Sequence, residues 1–140
     1  MRRPRSSASA AAGDYPPALA DIERLAERAL AELPGEFRRQ LGNVAIRVEE
    51  FPDEATEAEM ELESPFDILG LYRGVALPMK SVSDPRPHLD TIFLYRRPIL
   101  DFWCETGEGL GRLVRHVLIH EIGHHFGFSD ADMERIERQG

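Results

Sequence analysis

The sequence holds one cysteine, Cys104, and one lysine, Lys80, among its 140 residues. A lone cysteine excludes an intramolecular disulfide and a cysteine-based zinc site, and with it the secreted disulfide scaffolds. No apolar run approaches the roughly 18 residues that span a bilayer, so no membrane partner is expected. Residues 1–10 carry arginines with no apolar stretch behind them, which fits neither a secretory nor a twin-arginine signal. A cytoplasmic protein is expected. Acidic residues outnumber basic ones, 25 to 17. The formal net charge of −8 disfavours a nucleic-acid partner, because a phosphate backbone needs a basic footprint.

What is present suits one modest domain, with 42% hydrophobic and 30% charged residues. Residues 1–14, rich in Ala, Ser and Arg, read as a disordered leader, and 15–140 as a single folded domain. Apolar residues at Leu19, Ile22, Leu25, Ala26, Ala29, Leu30 and Leu33 recur at helical spacing, and Pro34-Gly35 ends that run. A short helical turn is expected over 36–41. Residues 44–48 alternate and are rich in β-branched side chains, so they predict a strand. The stretch 49–63 holds eight acidic residues and no basic one. It reads either as a cation- or partner-attracting surface or, more commonly, as a solvated face, with Asp53 capping a short helix. Strands are predicted over 71–77 and 91–95, joined by a proline-bearing loop or hairpin over 78–88. Arg96-Arg97-Pro98 is expected to end the second of these, with 99–104 an apolar connector. A long helix then follows from about 106 to 126, with Thr106 as its N-cap. The order predicts an α+β fold.

That last helix carries His120-Glu121-Ile122-Gly123-His124. Two histidines four apart lie on one helical face, so both imidazoles can address one ion. Glu121, directly after the first, can reach a water on that ion. Gly127 can take the left-handed conformation that ends a helix, and Asp130 follows six residues after His124. Asp130 is open to two readings, a metal ligand or the N-cap of a final helix, and in the second Asp132 or Glu134 would be the ligand. His116, one turn before His120, either lines the site or is a solvent-facing helix histidine. His125 points about half a turn away. Trp103 and Cys104 read as core or cleft wall. Residues 91–95 could offer an edge to an extended peptide, and an interior strand would look the same.

The pattern His-Glu-x-x-His-x-x-Gly-x-x-Asp resembles that of the zincin metallopeptidases. Together with 66–75 and 92–100, it is similar to a family of small bacterial zincin-like proteins described as minimal metallopeptidases. The resemblance implies a small mixed sheet packed against an N-terminal helix and the long metal-site helix. It implies Zn2+ as cofactor, His120, His124 and Asp130 as ligands, and Glu121 as general base. With ten residues following Asp130, no methionine-containing turn of the metzincin kind is expected. Met133 is expected on a short C-terminal helix instead.

Two functions follow as expectations. The first is a zinc-dependent hydrolase, a metallopeptidase acting on a peptide or protein substrate, with a protein partner completing the cleft. The second is a non-catalytic metal-binding regulatory or interaction module on the same scaffold.

Overall fold

A computed structural model describes residues 15–76 and 88–138, without the side chains of 75, 76, 88, 89 and 124. The disordered leader expected at 1–14 and most of the loop at 78–88 lie outside the described residues. The helices are α1 (Leu19–Ala31), α2 (Gly35–Leu41), α3 (Glu54–Glu59), α4 (Arg96–Thr106), α5 (Leu110–Phe126) and α6 (Asp130–Arg138). The strands are β1 (Val44–Glu49), β2 (Gly70–Ala76) and β3 (His88–Tyr95), in a mixed sheet of order β1-β3-β2. The fold is α+β, as the patterning predicts. β1 runs parallel to β3, with Ile46 opposite Ile92, and β2 runs antiparallel to it, with Tyr72 opposite Ile92. Residues 91–95 therefore lie in the central strand. Among the described residues, the sheet edge nearest the histidine helix is the outer side of β2.

The core lies between one face of the sheet and the pair α1 and α5. Ile22, Ala26 and Ala29 of α1 meet Leu113, Val114, Val117, Leu118 and Ile122 of α5 over Ile92 and Leu94 of β3. Apolar positions at helical spacing on one partner and at period two on the other make this packing available. Asp53 caps α3, its carboxylate accepting from the Thr56 amide at 2.7 Å.

One boundary differs from expectation. Residues 96–106 form a helix of their own, and Thr106 closes it instead of opening the next. Proline is tolerated in the first turn of a helix, where its missing N–H has no partner to lose, so Pro98 sits in the first turn of α4 and does not break it. Gly107, at φ 70° and ψ 2°, then reverses the chain. The Trp103 indole donates to the Glu108 carbonyl at 2.9 Å and holds the turn from which α5 starts at Leu110.

Two glycines set how closely the elements around the histidines approach. A Cβ on Gly70 would lie 2.8 Å from Val117 Cγ1 and 3.1 Å from the Phe93 carbonyl oxygen. A Cβ on Gly123 would lie 2.2 Å from Met133 Sδ. The first lets α5 press against the start of β2. The second lets α6 fold back along α5.

The α5–α6 corner is closed locally. Gly127 takes φ 71°, and the Phe128 amide bonds the Gly123 carbonyl at 2.9 Å, which satisfies the end of α5. Ser129 Oγ accepts from the Asp132 amide at 3.0 Å while Asp132 Oδ2 accepts from the Ser129 amide at 3.3 Å. This reciprocal box caps α6. The hydrogen bonds from Ser129 hold the Asp132 carboxyl below its ordinary range. Its contribution is thus present above the unfolded carboxyl pKa and lost as pH falls through the folded value. Ser129→Ala should cost about 1 kcal/mol, read from the urea midpoint at neutral pH; an unchanged midpoint would show that the box contributes nothing.

Candidate metal centre

His120 and Glu121 sit in the last two turns of α5 because that helix buries Leu118, Ile119 and Ile122 and leaves 120 and 121 at the margin. The His120 side chain is 41% exposed. Glu121 is half-buried and reaches across to the edge strand, where Oε2 accepts from the Tyr72 amide at 3.2 Å. The contact follows from Gly70. Val117 abuts Gly70, so the residue one turn further along α5 meets the residue two further along β2. An N–H that bonds Glu121 points away from β3, so Glu121 occupies an outward-facing donor on the outer side of β2. Beside it, the His125 ring stacks on Tyr72 with centroids 3.4 Å apart. Burial first, and the Asp90 carboxylate second, hold the Tyr72 phenol above its ordinary pKa, so it stays protonated.

His124 lies on α5 one turn beyond His120, and its side chain is outside the described residues. Asp130 is the first residue of α6 and is exposed. The capping reading open to it in the sequence goes to its neighbours, because Ser129 and Asp132 make the box. Asp132 is further engaged with Arg135, and Glu134 pairs with Arg138 at 3.2 Å. Among the described residues Asp130 makes no hydrogen bond or ion pair, so of the three acids it alone is left uncommitted.

The structure also gathers a set that the sequence does not announce. His116, His120 and Glu137 place one donor atom each within 4.8 Å of one another. His116 Nδ1 lies 2.6 Å from Glu137 Oε1, and His120 Nε2 lies 4.0 Å from the same oxygen. Asp130 is not a member of this group. Glu137 had no local signal: it is one of several acids on an amphipathic helix, and only the docking of α6 on α5 brings it to the histidines. Met133 is likewise placed by docking, on a C-terminal helix as expected. Its thioether lies against Gly123, within the histidine motif itself. A methionine thus packs under the motif from a helix and not from a turn.

The donors suit a borderline divalent ion, since imidazole and carboxylate are the ligands zinc takes where thiolate is lacking. The sequence profile of the zincin-like metallopeptidases matches residues 41–140, from the end of α2 through the whole histidine motif. The chain belongs to the zincin-like metallopeptidase family. In this zincin-like chain the matched part includes all three strands, α5 and α6, while α1 precedes it. No curated protein matches the sequence. Among the described residues, no helix is long and apolar enough to cross a membrane.

Proposed function

We propose that this zincin-like chain is a zinc-dependent hydrolase that cleaves peptide bonds, with Glu121 as general base. The observation that carries the reading is the Glu121 carboxylate on the outer side of β2, one residue after a histidine at the helix margin. His120, His124 and Asp130 would hold the ion; bound there, zinc supplies Lewis-acid polarisation and a water of lowered pKa.

The chain's own residues do the rest. An extended peptide laid along β2 pairs with its outward amides and carbonyls and is oriented with its backbone beside Glu121. Glu121 Oε2 gives up the Tyr72 amide as the substrate arrives and takes a proton from the attacking water. The water oxygen bonds the scissile carbonyl carbon, the C–N bond breaks, and the proton passes from Glu121 to the leaving amine. A protein partner or the substrate itself would form the far wall of the cleft.

A second reading has support from the same contact. A carboxylate bonded to a strand amide also works as a strut between α5 and β2, which a non-catalytic metal-binding module would keep. Metal content is the first test common to both. Purified, unchelated protein should hold about one zinc per chain, and His120→Ala should hold none. Wild type free of zinc by mass spectrometry and elemental analysis would remove both readings.

A further inference from the structure

We propose that His116, His120 and Glu137 form a second divalent-cation position, distinct from the one that His124 and Asp130 complete and exclusive with it because the two share His120. The binding itself stands on the geometry of these three residues. The exclusivity rests on the function proposed above.

Three observations converge. The first is the donor geometry. The two histidines are one turn apart on α5, with ring centroids 4.3 Å apart, and Glu137 faces both from α6. Zinc bonds of about 2.0–2.1 Å in a tetrahedral site put donor atoms about 3.4 Å apart. The observed separations of 2.6 Å and 4.0 Å from Glu137 Oε1 bracket that spacing. Small rotations of half-exposed side chains suffice to close the set, and the ion takes the place of the direct contact between His116 Nδ1 and Glu137 Oε1.

The second is the anchoring of Glu137. Arg115 donates to the Glu137 carbonyl at 2.7 Å and to that of Ile136, so the last turn of α6 is clamped to α5 at its backbone. The carboxylate is presented from a fixed base, and the guanidinium answers the negative end of the helix dipole. A simple ion pair between half-exposed groups contributes little and needs neither a third donor nor a clamp.

The third is access. His116 and Glu137 line a groove of about 790 Å³ between α1, α5 and α6, where an ion and its remaining waters can enter. α6 runs back along α5, since Glu137 meets His116 while Met133 meets Gly123. The histidines at 116, 120 and 124 therefore form a ladder, with Glu137 opposite its start and Asp130 beyond its end. An ion passing from one set to the other moves about one helical turn, roughly 5 Å. His120 is the rung common to both. A protein holding its ion at Glu137 has His120 committed away from Glu121, and such an ion is stored or inhibitory.

The test uses chelator-stripped full-length protein titrated with Co2+, followed by its visible absorption and by calorimetry. His124→Ala removes a ligand of the site proposed above and leaves all three of these residues in the chain, so it should still take up one Co2+. Adding Glu137→Gln or His116→Ala in that background should weaken uptake by more than the roughly 10–100-fold that loss of an outer hydrogen-bond partner costs a metal site. Glu137→Gln keeps shape and hydrogen bonding, and an unchanged melting profile shows that it folds. If His124→Ala binds no ion, or binds it as well with Glu137→Gln as without, the second position does not exist. If His124→Ala binds as tightly as wild type and Glu137→Gln abolishes that binding, the assignment of His124 fails and this one stands.

Discussion

Glu121→Gln should leave the zinc content unchanged and lower peptide hydrolysis by about 10²–10⁴-fold, the usual contribution of a positioned general base. The substitution keeps size and the acceptor oxygen that bonds the Tyr72 amide, so α5 and β2 stay joined. What it removes is the capacity to take a proton. The loss should appear in kcat and in kcat/KM alike, since the proton moves only in the transition state. A zinc-loaded peptide-library assay with wild type and variant side by side measures this. Equal turnover in the two proteins would take Glu121 out of the chemistry. A wild type that binds zinc and cleaves nothing in the library would favour the module, in which the carboxylate is only a strut.

Gly123→Val should destabilise the fold by about 3 kcal/mol, the upper end of what overpacking a core costs. Even the first added carbon would stand 2.2 Å from Met133 Sδ, and both residues are buried. α6 would have to move away from α5, taking Asp130 and Glu137 with it. Met133→Ala makes room for the added side chain, so the double variant should be more stable than the sum of the two single losses predicts. Denaturant melts of the four proteins measure the coupling. Strictly additive losses would mean that Gly123 and Met133 do not meet.

The site was partly legible because some of its chemistry is local. Helical spacing is enough to put His120 and His124 on one face, and Gly127 and Ser129 close the α5–α6 corner within a few residues of one another. Strand positions, the Asp53 cap and the α+β class also come from short-range patterns. The sequence misleads, or leaves two readings open, where one residue type serves two purposes. Pro98 reads as a stop after a strand and in fact occupies the first turn of α4. A strand rich in apolar residues does not reveal whether it is central, and β3 is, so the edge falls to the glycine-bearing β2. Glu137, Met133 and the bond between Glu121 and Tyr72 were beyond local reading. They arise only when α6 docks on α5 and α5 on β2, across 49 residues of chain in the last case.

The docking of α6 has a thermodynamic consequence. Both acids proposed as ligands on this helix, Asp130 and Glu137, sit at its two ends, while all the proposed histidine ligands belong to α5. An ion in either position therefore bridges the two helices and is held only when they are docked. By mass action, free zinc at about 100 times its dissociation constant adds about 2.7 kcal/mol to the docked state. With the proposed ligands, metal supply would set the fraction of molecules in which the last helix is docked, and with it the fraction that keep Met133 under the motif.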